Sequence, residues 1–259
     1  MKKFKLDKRL KTNTDYYTES DTAFIIRKIG TDDTSKVTVK VEGVPCAEIV
    51  TDFAPLYATS TNRLDLFDLK DLYIVVPPDK NFRFDGTSGK YVRIQGEILR
   101  LGPGEALPAS YAGRYTEQGK KFWSYQKDSP DSATSVAAKS ASTVLEFTCP
   151  TGERWKFPSY LMALYASASQ MLDFTTRILK QDEPLDNLIN DKTDLGIDQY
   201  ATPYPPSDTY GEVPFTLEQN PIELEPGQVL KIQAFNTSAS AITLQTSSKV
   251  LIVGIQEYL

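Results

Sequence analysis

The chain of 259 residues contains no histidine and only two cysteines. Without imidazole there is no Ser-His-Asp triad, no histidine general base and no histidine ligand for zinc or iron. The cysteines, Cys46 and Cys149, lie in different halves of the chain and form no C-x-x-C pair. We expect both to be buried free thiols, because small apolar thiols are common in protein cores and disulfides are rare in the cytoplasm.

Motifs for catalysis and phosphate binding are also missing. The chain has neither G-x-S-x-G nor G-x-x-x-x-G-K-[ST], and Gly102-Pro103-Gly104 reads as a turn because no lysine follows it. We therefore expect no enzyme activity, no cofactor and no metal site. Ca²⁺ binding by an acidic loop is the alternative left open, although the spacing of its acids does not match a Ca²⁺ loop. Those acids are Asp182, Glu183, Asp186, Asp191, Asp194 and Asp198.

Long apolar runs are absent as well. No stretch approaches the ~20 residues that span a bilayer, and the N-terminus lacks the apolar core of a secretory signal. The net charge of −5 provides no general attraction to nucleic acid, whose partners are strongly basic. We expect a protein that stays in the cytoplasm where it is made, with no membrane and no specific nucleic acid as partner.

What the chain does contain is a phrase that occurs twice. Residues 76–84 read V-P-P-D-K-N-F-R-F, and residues 224–232 read L-E-P-G-Q-V-L-K-I. In each copy a proline-initiated turn leads into a strand that alternates apolar, basic and apolar side chains. A second phrase follows each, V-R-I-Q-G at 92–96 and V-L-I-V-G at 250–254. With abundant tyrosine and phenylalanine, the repeat predicts an all-β fold of two β-sandwich domains of one design.

The domain boundaries follow from composition. We expect a basic N-terminal arm at 1–21, a β-sandwich at 22–118, a linker or loop rich in serine and alanine at 119–142, and a second, jelly-roll-like β-sandwich at 143–259. Residues 159–172 fit a helical stripe and a strand equally, so their structure stays open. Trp155 is expected in the core, whereas Trp123 and Tyr125 beside the linker are expected at an exposed contact.

Two segments are candidate contacts with neighbouring subunits. The arm has six cations and little apolar surface, and residues 200–211 place three tyrosines among prolines. The candidate contact residues are Lys2, Lys3, Lys5, Lys8, Arg9, Lys11, Tyr200, Tyr204 and Tyr210. The arm would add a salt-sensitive attraction or a strand at a sheet edge, and its alternative is a solvated terminus. Deleting residues 1–12 should then leave the fold of the isolated protein nearly unchanged.

Residues 147–155, F-T-C-P-T-G-E-R-W, followed by an apolar stretch that ends L-Y-A-S at 164–167, resemble a phrase of bacteriophage virion proteins. In those proteins a strand, a P-x-G turn and a tryptophan-bearing strand open a jelly-roll-like β-sandwich. A later L-x-P-G-x-x-L phrase and a final strand near the C-terminus follow, which residues 224–232 and 250–254 match. The N-terminal half carries only the later phrases, with Pro-Asp in place of Pro-Gly.

The resemblance implies a virion structural protein, most simply a capsid decoration (cement) protein that stabilises the lattice as a trimer or other symmetric homo-oligomer. Its partners would be other capsid proteins. A small double-jelly-roll major capsid subunit is the alternative within the same class. A carbohydrate-binding adhesion module is the alternative from a different class, with the loop tyrosines stacking on sugars.

Overall fold

The computed structural model describes residues 1–56, 66–129, 134–163, 174–184, 215–216, 221–244 and 249–259. By its internal contacts the chain divides into two compact units. The first unit comprises Met1–Tyr125 and Ile255–Tyr258, and the second comprises Gln126–Gly254 and Leu259.

The first unit is built mainly of strands. These are β1 (Lys2–Lys11), β2 (Asp15–Tyr17), β3 (Thr22–Thr31), β4 (Val37–Val41), β5 (Val44–Ile49), β6 (Phe67–Asp68), β7 (Ile74–Val76), β8 (Asn81–Asp85) and β9 (Tyr91–Arg100). A 3₁₀ helix, Lys70–Leu72, precedes β7, and an α-helix, α1 (Ala109–Glu117), follows β9. Strand β10 (Lys121–Ser129) begins in this unit and ends in the next.

Two antiparallel sheets form the first unit. One has the order β1-β9-β3-β6, with β7 also paired to β3, and the other has the order β2-β8-β4-β5. The alternation of apolar and polar residues explains which face of each strand is buried. Strand β4, V-T-V-K-V, buries its three valines, and strand β8, N-F-R-F-D, buries both phenylalanines. Phe24 of the first sheet contacts Phe82 of the second, with ring centroids 5.8 Å apart. The two sheets therefore pack as a sandwich.

The second unit is also built of strands. These are β11 (Thr134–Val136), β12 (Ala141–Thr148), β13 (Glu153–Ala163), β14 (Phe174–Lys180), β15 (Glu183–Pro184), β16 (Phe215–Thr216), β17 (Ile222–Leu224), β18 (Val229–Asn236), β19 (Ile242–Leu244) and β20 (Lys249–Tyr258). One sheet has the order β10-β20-β13-β16, with β17 also paired to β13, and the other has the order β12-β18-β14-β15. Strands β11 and β19 pair separately.

Aromatic side chains join the two main sheets of the second unit. Phe147 on β12 and Phe157 on β13 have ring centroids 5.6 Å apart, and Trp155 stacks on Phe157 at 6.0 Å. Trp155 belongs to the buried cluster of this unit, together with Leu230 and Ile232 of β18. The core position expected for Trp155 is confirmed.

The strand order of the first unit is repeated in the second. Strands β1, β9, β3, β6 and β7 correspond in order and pairing to β10, β20, β13, β16 and β17. Strands β2, β8, β4 and β5 correspond in the same way to β12, β18, β14 and β15. In both units the chain passes repeatedly from one facing sheet to the other, as it does in a jelly roll. The all-β fold of two jelly-roll-like sandwiches is confirmed.

The first repeated phrase is the corner at which the chain passes from one sheet to the other. It joins β7 to β8 in the first unit and β17 to β18 in the second. Asp79 and Gly227 occupy the same position in the two turns and have φ angles of 57° and 79°. Glycine is free in this region, and aspartate tolerates it better than most side chains. The exchange of Pro-Gly for Pro-Asp therefore preserves the turn.

The second repeated phrase ends at a glycine that a neighbouring strand approaches closely. A Cβ at Gly96 would lie 1.9 Å from the carbonyl oxygen of Ile25. A Cβ at Gly254 would lie 2.4 Å from a ring carbon of Phe157. Both distances are too short for any side chain, so steric contact explains why each phrase ends in glycine.

The expected linker at 119–142 is wrong in extent. Its residues contribute β10, β11 and the start of β12, and the division between the units falls after Tyr125. Trp123 is buried rather than exposed, and its indole N–H donates to the carbonyl oxygen of Leu69 at 3.0 Å. Serine and alanine suggested a loop, but the chain here forms a strand with two buried aromatic residues near its start, Phe122 and Trp123.

Helix α1 lies in a region expected to be all strand. It begins after Pro108, which suits a helix start because proline lacks an N–H that would need a partner. Its tyrosines, Tyr111 and Tyr115, pack on a buried cluster that includes Ile25 and Leu99. The open assignment of 159–172 is settled as strand up to Ala163, and residues 164–172 lie outside the described residues.

Candidate interaction surface

The six cationic candidates of the N-terminus all lie on β1. This strand pairs with β9 along its whole length, from Lys2 opposite Arg100 to Lys11 opposite Tyr91. Leu6 is 0% exposed and anchors the strand to the core. The expectation of an arm separate from the first domain is therefore wrong, because alternate apolar side chains tie these residues into the sheet.

Strand β1 has two faces with different chemistry. Side chains at even positions, including Phe4, Leu6 and Lys8, lie on the side of the core, and those at odd positions lie on the opposite face. Lys8 extends over the ring of Phe24, with its Nζ 4.9 Å from the ring centroid. Its ammonium thus makes a cation–π contact with an aromatic face, although the side chain as a whole is exposed.

On the odd face, a carboxylate of β9 joins two cations from other strands. Glu97 accepts a hydrogen bond from Nε of Arg27 at 2.8 Å and forms an ion pair with Lys3 at 3.1 Å. Burial acts to raise the pKa of Glu97, but the hydrogen bonds from Arg27 and Lys3 outweigh it, so the pKa is lowered. The hydrogen bond to Glu97 is the main cause of the raised pKa of Lys3. The groups hold one another ionised.

A second network crosses from β1 to β9. Asp7 accepts two hydrogen bonds from the guanidinium of Arg93, both at 2.9 Å, and a third from Gln95 at 3.1 Å. The Arg93 hydrogen bond is the main cause of the lowered pKa of Asp7. Arg9 lies over the ring of Tyr91, 4.0 Å from its centroid. The guanidinium of Arg93 is held on a carboxylate and that of Arg9 on an aromatic ring, so the positions of both cations on this face are fixed.

Three lysines leave the strand strongly positive. Lys2, Lys5 and Lys11 form no ion pair with any residue that the structure describes, and each is exposed. The segment Lys2–Lys11 contains six cations and one acid, Asp7, and therefore carries a charge of +5. Two exposed apolar side chains accompany this charge at the start of the chain, Met1 and Phe4, which are 48% and 49% exposed.

The backbone of β1 has one paired side and one outward side. Thr12, just after the strand, donates its N–H to the carbonyl oxygen of Lys90. The backbone N–H and C=O groups of the even residues of β1 therefore point toward β9. The odd residues therefore direct their N–H and C=O groups away from the sheet. At Lys11 the outward N–H donates a hydrogen bond to the hydroxyl of Tyr16 at 2.7 Å. At Lys3, Lys5 and Asp7 no described residue pairs with the outward groups.

The sequence identified the cations of this surface but missed the residues that organise it. Glu97, Arg93 and Tyr91 sit at alternate positions of β9, a period-two signal that marks a common face. The register that places them opposite β1 depends on contacts between distant segments. The hydroxyl of Tyr16 could not be assigned to the edge without that register.

The other candidate residues are not brought to this surface. Tyr200, Tyr204 and Tyr210 lie outside the described residues, and so do most acids of the possible Ca²⁺ loop. Asp182 pairs with Lys231 on β18. Among the residues that the structure describes, no group of three or more cysteine, aspartate or glutamate side chains could hold a metal ion.

Both cysteines are buried free thiols, as expected. Cys46 lines a pocket of about 420 Å³ in the first unit, together with Val41, Tyr115 and Gln118. Burial raises the pKa of the Cys46 thiol to about 12 and that of Cys149 to about 11. Thiols with such pKa values are not ionised at neutral pH, so neither is an effective nucleophile.

No protein-family model and no curated protein sequence matches this chain. Among solved structures it is similar to the major capsid protein P2 of Bacteriophage PM2, with a TM-score of 0.39 and 11% identity over 98% of both chains. It is also similar to BuGH86 in complex with neoagarooctaose, with a TM-score of 0.24 and 11% identity over 93% of this chain and 33% of that one. TM-scores of this size do not establish a common fold. No described helix is long and apolar enough to cross a membrane.

Proposed function

We propose that this protein is a structural subunit of a virus particle. The observation that carries the proposal is the strand order, which is the same in both units and accounts for nearly every strand that the structure describes. Viral capsid proteins are one of the main groups built on jelly rolls. The fold is shared with lectins and enzymes, however, so the surface and the chemistry must decide among them.

Within this class, the repeated strand order favours a shell-forming subunit. Two sandwiches of the same strand order in one chain present the same backbone framework twice, which suits closed symmetric assemblies. The double-jelly-roll major capsid subunit is therefore our first choice. The decoration or cement role stays a prediction, supported by the positive strand β1, which suits contact with an acidic neighbour.

The residues of the candidate surface support contact rather than chemistry. Asp7 and Glu97, the acids of this surface, are held ionised by arginine, and such groups are poor general acids at neutral pH. The pocket next to α1 contains a thiol that stays protonated. We propose on this basis that the protein is not an enzyme. A carbohydrate-binding module remains the candidate from another class.

Purification of the full chain distinguishes these roles. A shell-forming subunit should assemble into closed particles or symmetric oligomers, visible by negative-stain electron microscopy and by sedimentation velocity. A cement protein should stay a small oligomer that adds to preformed capsids. A monomer that binds immobilised glycans and never enters particles would contradict the proposal.

A further inference from the structure

The outward edge of β1 is a strand edge that the first unit leaves open. Lys3, Lys5 and Asp7 direct backbone N–H and C=O groups away from β9, and no described residue pairs with them. The hydroxyl of Tyr16 closes the edge at Lys11. The open stretch is therefore bounded, and its length suits a short extended segment from another chain.

Charge indicates what kind of segment would fit. The segment Lys2–Lys11 carries +5, and the whole chain carries −5, so the remaining residues together carry −10. The rest of a second copy is thus negatively charged overall, opposite in sign to β1. Opposite charge would steer the two together and favour their contact.

The same charge excludes the simplest symmetric contact. Two β1 strands placed edge to edge would bring twelve cations and two acids together, which like-charge repulsion disfavours. A contact through β1 must therefore join different surfaces of the two copies. Contacts of this heterologous kind form rings when the rotation closes.

We propose that the outward edge of β1 pairs with an extended acidic segment of a second copy of this chain. The partner adds a strand beside β1 through the backbone groups of Lys3, Lys5 and Asp7. Lys2, Lys5 and Lys11 supply the charge that selects the acidic segment. The inference rests on the proposed function for its choice of partner, because shell subunits contact copies of themselves.

Lysine-rich edge strands also protect proteins from pairing with one another. Such protection predicts no self-association at any salt concentration. Pairing with an acidic segment predicts association that weakens as salt screens the charges. The two explanations therefore differ in a measurable way.

Two substitutions of Lys5 separate the backbone from the charge. Lys5→Pro removes an outward N–H and no hydrogen bond to β9, and proline is tolerated on edge strands. Lys5→Glu keeps the N–H and reverses the charge. Lys120→Glu is the matched control, since Lys120 is also exposed, has no described ion pair and lies in the turn after α1.

The measurement is sedimentation velocity of the full chain at about 0.05 M and about 0.5 M NaCl, which brackets a Debye length of ~10 Å. We expect the wild type and Lys120→Glu to associate at low salt. Lys5→Glu and Lys5→Pro should each weaken association by about tenfold or more, a change of roughly 1.4 kcal/mol or above. Circular dichroism checks that each variant is folded, and Lys5→Glu keeps the test valid if proline disturbs the strand.

A wild type that stays monomeric at both salt concentrations would overturn the inference, as would a Lys5→Pro protein that is folded and associates normally. Equal association of Lys5→Glu and Lys120→Glu would remove the charge argument and the second copy as partner. Binding of β1 to a different particle protein, with no self-association, would contradict the choice of partner as well. A monomeric wild type would also count against the shell-forming subunit, whereas the virion role itself fails only if the protein is absent from particles.

Discussion

Single buried polar side chains complete the hydrogen bonding of strand ends in the first unit. Gln118 accepts from the N–H of Val75 at 2.8 Å and donates to its carbonyl oxygen at 3.0 Å, as a neighbouring strand would. Arg114 donates to the carbonyl oxygens of Tyr73, Leu72 and Lys121. The sequence did not reveal either role, because one glutamine or arginine near a helix end is ordinarily exposed.

Replacing Gln118 should test this role directly. Gln118→Leu leaves the two backbone groups of Val75 buried without partners, and we expect a loss of about 1–3 kcal/mol in the free energy of unfolding. Glu117→Leu is the control, because Glu117 is exposed on the adjacent position of α1. Urea denaturation measures both variants. Equal effects of the two substitutions would show that the Gln118 hydrogen bonds contribute nothing.

Two glycines of the first unit should respond in opposite directions to the same substitution. Gly96→Ala places a Cβ against the carbonyl oxygen of Ile25, so we expect a loss of about 1–3 kcal/mol from overpacking. Gly113 lies within α1 with open space around it, and Gly113→Ala should gain up to about 1 kcal/mol through helix propensity. Thermal melting gives the two signs. A neutral Gly96→Ala would mean that β3 moves aside at little cost.

At the scale of elements, the sequence predicted strands well where alternation was clean. Strands β8 and β18, which begin inside the two copies of the first phrase, lie where the repeat predicted them. The sequence-based prediction failed at β1, although Phe4, Leu6 and Leu10 already share the even face. The charge of the odd positions obscured that signal, and Lys8 interrupts it. The structure shows that Lys8 fits the pattern, because its ammonium lies over the ring of Phe24 on the core side of the strand.

The attachment of β1 reverses the expectation that residues 1–12 are dispensable for the fold. Leu6 is fully buried, and Leu6→Ala should cost about 2–5 kcal/mol. Phe4→Ala, on the same face but half exposed, should cost much less. Hydrogen exchange of the even amides of β1, which face β9, should accelerate only in Leu6→Ala. Similar exchange in both variants would indicate that the backbone pairing alone holds β1.

Acid should weaken the attachment of β1 through Asp7. Its pKa is lower in the folded chain, so its contribution is present above the unfolded value near 4 and is lost as the pH falls through the folded value. Because the group is partly exposed, we expect a difference of at most about 1 kcal/mol between the wild type and Asp7→Asn at neutral pH. In thermal melts that difference should shrink as the pH falls below about 4, and it should vanish once Asp7 is protonated in the folded chain. A difference for Asp7→Asn that stays constant with pH would contradict the linkage.

At the scale of the whole molecule, the repeated phrase correctly predicted two domains of one design. Its two phrases fall at the corner between the sheets and at a glycine that a neighbouring strand approaches closely. At both places the geometry limits which residue types fit. Other corresponding strands, such as β1 and β10, have no similar sequence, because the strand order depends on which strands pair rather than on particular side chains. The boundary was misplaced for the same reason, since composition alone cannot identify a strand that crosses it.

The independence of the two units is still a prediction, and the boundary after Tyr125 makes it sharper. The first unit includes residues 255–258 of β20, where Tyr258 donates its N–H to Lys120 and its ring lies 6.1 Å from that of Phe122. A fragment of residues 1–125 lacks these contacts but keeps both sheets of its sandwich. We expect it to unfold cooperatively with β-type circular dichroism, and to melt lower than a fragment of residues 1–129 joined by a short glycine-serine linker to residues 249–259. If neither fragment folds, the two sandwiches depend on each other, and the repeated design specifies the topology of each unit without making it stable alone.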